Sequence, residues 1–307
     1  MRTARGLMIL IVLLCLIPAV RGQTPSPAAA RLKVAATIFP LYDLVRNVAG
    51  PAVEVVLLVP MGASPHTFDA KPGTVRMLTG SAAVFAIGHG LDGWVARLAQ
   101  GAGVTRTIVV DDQIPLRAWK PRAHGQASAH GHTDHHGDVD PHYWLAIPNA
   151  IRMVQTIATA LEQLNPADGE GYRQRAATYQ AQLWAVDQEI RQRLAGFHQR
   201  SIAVFHQAFE YFAEAYDLRV VAVFEPSPGR EPAPRQVEKF LHQIKAHGLH
   251  VVFIEPQLDP GPLRSLASDL GVAVQDLDPE GGGGQGRDSY IALMRFNAAQ
   301  IATALHE

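Results

Sequence analysis

The sequence holds a single cysteine, Cys15, and it lies in an apolar run near the N-terminus. A chain that loses this run on export keeps no thiol, which excludes a disulfide framework and a thiolate metal ligand. Any metal must then be held by imidazole and carboxylate. Charge of one sign is lacking too: Lys and Arg number 27 against 28 Asp and Glu, a formal net charge of -1. That balance gives no electrostatic reason to expect nucleic acid or an acidic membrane surface as a partner. The apolar run from Leu7 to Val20 is too short to span a bilayer comfortably. With Arg2 and Arg5 before it and small, polar residues after it, residues 1–22 are expected to be a secretory signal peptide cut after Gly22. A lipid-anchored bacterial protein would want a small residue just before its cysteine. Leu14 stands there, so the expectation is an exported chain that is not lipidated.

What is abundant is histidine, 14 in all. His124, His130, His132, His135 and His136 lie in a Gly/Ala/Ser/Asp-rich run that cannot build a core but can collect metal ions, and are expected to form a weak secondary metal-binding loop. The run gives way to Asp140-Pro141-His142-Tyr143-Trp144-Leu145, where a proline and flanking aromatics fix one imidazole.

Around this stretch the chain alternates. Apolar, β-branched runs at Leu32–Ile38, Val53–Val59, Ala82–Ile87 and Thr105–Val110 are separated by helical segments. The pattern resumes after residue 200 with Ile202–Phe205, Val220–Phe224, Val251–Ile254 and Val272–Val274. Short apolar runs between helices are the signature of parallel strands buried on both faces. The fold class expected is α/β: two βα lobes with parallel sheets, residues 31–165 (including the loop 124–136) and 197–307. A long, stiff connector helix over 166–196, rich in good helix formers, joins them. At 1.5 Å per residue it would run roughly 40 Å.

In open parallel sheets, ligands bind beyond the carboxyl ends of the strands. His66, His142, His206 and Asp278 all fall at such ends, two from each lobe, and three neutral imidazoles with one carboxylate satisfy a tetrahedral zinc ion. Taken singly, each has a plainer reading: His66 follows a proline in a turn, and Asp278 precedes Pro279 as a turn starter. The case rests on four residues reaching one edge. His89, at the end of the third strand, is the spare candidate, and water the other alternative for the fourth position.

At these residues the sequence resembles the metal-binding solute-binding proteins of ABC importers (cluster A-I, or cluster 9), nearest the zinc-specific branch. The segments that carry the resemblance are Thr37-Ile38-Phe39-Pro40, Pro65-His66-Thr67-Phe68, Asp140-Pro141-His142-Tyr143-Trp144-Leu145, Phe205-His206-Gln207-Ala208-Phe209, Phe253-Ile254-Glu255-Pro256-Gln257 and Leu277-Asp278-Pro279. It implies a single metal site between two lobes, with ligands at His66, His142, His206 and Asp278. Manganese-binding relatives tend to carry a carboxylate where His206 stands, and imidazole favours zinc while manganese prefers oxygen. The resemblance therefore implies a periplasmic, monomeric zinc carrier with no catalytic residues, delivering Zn2+ to an ABC importer permease in the inner membrane.

Three other readings compete. A manganese or iron carrier of the same family differs only in cargo. A zinc-dependent hydrolase would need a water activated at an open position, but no His-Glu-x-x-His signature or general base beside a ligand is present. A structural or adhesive protein locked by metal is the third.

Overall fold

The computed structural model describes residues 31–119, 138–225 and 228–306. The signal-peptide segment and the five histidines of the loop lie outside the described residues. Arg31–Glu307 form one unit by their contacts, and two successive βα halves can be followed along it.

The first half is a four-stranded parallel sheet in the order β2-β1-β3-β4, from β1 (Lys33–Ala36), β2 (Glu54–Leu57), β3 (Ala83–Ala86) and β4 (Thr107–Val109). Burial follows this order. Central β3 is buried throughout, whereas edge strands β2 and β4 carry exposed positions. Helices α1 (Phe39–Ala49), α2 (Pro72–Leu78) and α3 (Val95–Gly101) connect the strands. Pro40 sits in the first turn of α1, where its missing N–H costs nothing.

In the second half the strands pair two by two, β5 (Ser201–His206) with β6 (Arg219–Glu225) and β7 (Val251–Ile254) with β8 (Ala273–Asp276), all parallel. β5 and β6 shift register between Ile202 and Ala203. β7 lies beside β5, and Ala203, Phe205, Phe224, Val252 and Ile254 share one apolar core across the two pairs. The second sheet is thus joined by packing more than by a continuous hydrogen-bonded ladder. Helices α6 (Glu210–Ala215), α7 (Pro234–Ala246) and α8 (Gly261–Leu270) lie between its strands, and α9 (Tyr290–His306) closes the chain.

Between the halves run α4 (Ile147–Leu164) and α5 (Gly169–Leu194). The 26 residues of α5 span about 39 Å at the standard rise. They bury Tyr172, Ala176, Tyr179, Leu183, Val186, Ile190 and Leu194, the three-and-four spacing of a single helical face. This face belongs to a core that also takes in residues of both sheets, of α1 and of α9. Asp43, fully buried in α1, ties three helices: its Oδ2 accepts from Tyr290 N at 2.9 Å and Tyr179 Oη at 3.3 Å. Across the halves, Trp144 Nε1 donates to Pro279 O at 2.8 Å, and Tyr290 Oη donates to Trp144 O at 2.6 Å. No helix among the described residues is long and apolar enough to cross a membrane.

Candidate metal centre

Three of the four expected ligands meet. His66 comes from the irregular segment after β2, His142 from the turn before the short 3-10 helix Tyr143–Leu145, and His206 is the last residue of β5. One ring nitrogen from each lies within 4.8 Å of the others, the group standing out among the described residues as able to hold a metal ion. Ring centroids are 5.2 Å apart for His66–His142 and 4.9 Å for each pair involving His206. His66 Nε2 and His142 Nε2 approach to 3.1 Å. Nitrogens around a tetrahedral zinc with Zn–N bonds of about 2.0–2.1 Å sit roughly 3.3 Å apart, so the spacing suits such an ion. His206 Nε2 is buried without a hydrogen-bond partner, and a buried polar atom of this kind calls for an explanation, which a role as a metal ligand would supply.

The opposite nitrogens are anchored. Asp140 Oδ1 accepts from His142 Nδ1 at 2.8 Å and from its backbone N at 3.0 Å. Glu255 Oε1 accepts from His206 Nδ1 at 3.0 Å and from its backbone N at 3.2 Å, and Oε2 lies 3.1 Å from the same Nδ1. A carboxylate on Nδ1–H fixes the tautomer so that the Nε2 lone pair faces inward, and it raises the basicity of that nitrogen. Both carboxylates are buried. Sequence reasoning missed their role. The signal was available for each: Asp140 stands two residues before His142, and Glu255 follows β7 at the strand edge where His206 ends β5.

Other acidic groups crowd the same region. Burial pushes the Glu225 carboxyl up to about 6, and Glu225 is the register partner of His206 on β6. Burial also drives Glu280 well above the usual carboxylate range, reinforced by the charges of Asp278 and Glu255.

Asp278, the expected fourth ligand, does not join the three imidazoles. Its Oδ1 accepts from Gln257 Nε2 at 2.7 Å and from the backbone N of Glu280 and Gly281, both at 2.9 Å. Its Oδ2 accepts from Arg287 Nη1 at 3.1 Å. The carboxylate is at the sheet edge, as the strand-end rule requires, but its lone pairs are directed to its own turn, to Gln257 and to Arg287. His89 does not join either. It pairs with Asp111 Oδ2 at 2.9 Å, on a backbone held at φ 53°.

Comparison with known proteins fits this arrangement. Residues 34–304 match the family described as ZnuA, zinc-uptake complex component A, periplasmic. The chain belongs to this family. It is therefore a metal-binding substrate-binding protein of ABC transporters, and not an enzyme. The manganese-binding lipoprotein MntA of Halalkalibacterium halodurans is 25% identical over 284 residues, covering 90% of this chain and 89% of that one. The manganese ABC transporter substrate-binding lipoprotein PsaA of Streptococcus pneumoniae is 24% identical, with 94% and 93% covered. Among solved structures, that of ZnuA superposes with a TM-score of 0.77 at 27% identity, covering 89% of this chain and 99% of that one. FpvC of Pseudomonas aeruginosa in complex with Mn2+ gives 0.78 at 28%, covering 90% and 99%.

These relatives correct one expectation. Several near-full-length relatives are named lipoproteins, which overturns the expectation of a non-lipidated, soluble periplasmic protein. That expectation rested on one flanking side chain, Leu14, although the neighbouring Cys15 carries a thiol of the kind a lipid is joined through.

Proposed function

We propose that this chain captures zinc in preference to manganese and delivers it, as a monomer, to the permease of an ABC importer in the inner membrane. The ion would be held by the Nε2 atoms of His66, His142 and His206, with each half of the fold supplying part of the site. The observation that carries the reading is the donor set: three ring nitrogens lie within 4.8 Å of one another, and among the described residues no carboxylate oxygen joins them. Imidazole suits zinc, whereas manganese prefers oxygen.

Asp140 and Glu255 complete the electrostatics. They hold the rings and put two formal negative charges behind them, opposite a dication, without entering the coordination sphere. Trp144, fully buried, lies against the His142 ring with centroids 5.3 Å apart and restricts water on that side. Capture then needs deprotonated imidazoles, and release needs the permease to move one wall of the site, because α5 braces both halves.

The names of the relatives MntA and PsaA keep manganese as the second reading, and one experiment separates the two. Metal-free protein is titrated with zinc and with manganese in parallel, alongside His206→Ala. Tight zinc binding that the substitution weakens strongly, with manganese much poorer, supports the zinc carrier. Manganese binding as tight as zinc, or indifference to His206→Ala, refutes it.

A further inference from the structure

Asp278 stands at the strand edge that supplies the imidazoles, near enough to Glu280 for their charges to interact, and the structure keeps its carboxylate occupied. We propose that Arg287 is a positioning residue that latches Asp278 away from the ion, and in this way tilts the site toward zinc and against manganese. The inference rests on the metal-carrier reading and deepens it.

The backbone of Asp278 is fixed on α9: its N donates to Asn297 Oδ1 at 2.9 Å, and its O accepts from Asn297 Nδ2 at 2.7 Å. The residue therefore cannot swing, and only its carboxylate oxygens could reach an ion. A carboxylate offers about four lone-pair sites over two oxygens. Oδ1 already takes three donors, from Gln257, Glu280 and Gly281, which leaves Oδ2 as the oxygen with capacity. Arg287 Nη1 sits on it at 3.1 Å.

The guanidinium is itself built in. Its Cζ lies 4.8 Å from the centre of the Phe296 ring, and Nη2 donates to Gly283 O at 3.3 Å. Its Nε is buried with no acceptor. Paired with Arg287, Asp278 offers a dication only an oxygen that already accepts a charge-assisted bond, and the pair carries no net charge. Zinc held by three imidazoles can take water in its fourth position. Manganese, which gains most from oxygen ligands, loses the one that would serve it best.

The test uses the full chain and three variants: Arg287→Gln, Asp278→Asn and the double substitution. Each is stripped of metal, titrated with zinc and with manganese, and examined by the visible absorption of bound Co2+. Releasing the latch should raise manganese affinity about tenfold, the scale of outer-shell effects on metal affinity, and leave zinc within about threefold. The Co2+ spectrum of Arg287→Gln should weaken as an oxygen adds to the coordination shell. In the double variant the manganese gain should vanish, because it requires the Asp278 oxygen. Asp278→Asn alone should leave zinc within about threefold, since the carboxylate is not a ligand while latched.

An unchanged zinc-to-manganese ratio in Arg287→Gln overturns the proposal, as does a manganese gain that survives in the double variant. A zinc loss of about a hundredfold or more in Asp278→Asn also overturns it, because Asp278 would then be a ligand already. That single variant decides the matter if Arg287→Gln does not fold. A wild-type chain that binds neither metal refutes the carrier reading itself. Zinc binding with an unmoved ratio refutes only the latch.

Discussion

Replacing Glu255 by alanine tests whether the carboxylate behind His206 contributes to metal affinity or merely to packing. Glu255 is 4% exposed and accepts from His206 twice, at Nδ1 (3.0 Å) and at the backbone N (3.2 Å). Without it, Nδ1–H has no acceptor, the ring can take the other tautomer, and Nε2 is less basic. Loss of such an outer-shell partner typically costs about 10–100-fold in metal affinity, or about 1.4–2.7 kcal/mol of binding. The same substitution leaves two buried donors unpaired, at about 1–3 kcal/mol each, so the metal-free fold should also lose stability. Competition against a chromophoric zinc chelator reads the first effect, and urea unfolding of the metal-free protein reads the second. Glu255→Gln keeps one carbonyl oxygen as an acceptor and drops the charge, so its zinc affinity should fall between wild type and Glu255→Ala. Glu255→Ala protein that folds and still binds zinc within about threefold of wild type would refute the reasoning, since the orienting bond would then be worth far less than its usual share.

Three further outcomes follow from other parts of the fold. Asp43→Ala leaves the buried Tyr290 N–H and Tyr179 O–H without their acceptor and should cost about 2–4 kcal/mol in urea unfolding; a loss under about 1 kcal/mol would show that water replaces the carboxylate. At Gly282 (φ 76°) an added Cβ would meet Phe39 Cδ2 and Cγ at 2.8 Å and Met61 Cγ at 3.0 Å. Gly282→Ala should therefore destabilise the fold by at least the roughly 1–2 kcal/mol that a left-handed alanine costs and lower the thermal midpoint, and an unchanged midpoint would count against this packing. Glu225 has its folded-state pKa raised by burial to about 6, so its contribution is fully present below the ordinary carboxylate range and is lost as pH rises through about 6. Metal-free wild type should accordingly lose stability relative to Glu225→Gln between about pH 4.5 and 7, and parallel pH profiles for the two would contradict the shift.

Much of this was legible in the chain itself. The eight strands fall within a residue or two of the apolar runs, because a strand buried on both faces leaves an uninterrupted apolar segment such as Val251–Ile254. The long helix α5 was readable from its helix formers and its start after Pro166. The strand-end rule places His66, His142 and His206 at one edge, and those are the rings that meet.

What the sequence could not decide is where lone pairs point. Asp278 reaches the expected edge, yet its oxygens are taken by Gln257, by two backbone amides and by Arg287, partners fixed by the turn and by the approach of residues up to 21 positions away. The pairing of Glu255 with His206 spans 49 positions and exists only because β5 and β7 lie side by side. Pattern along a chain reports burial and period, which are properties of each segment. The assignment of an individual donor to an individual acceptor is settled only when the segments pack, and in this protein that packing separates the three imidazoles that meet from the carboxylates that hold two of them in place.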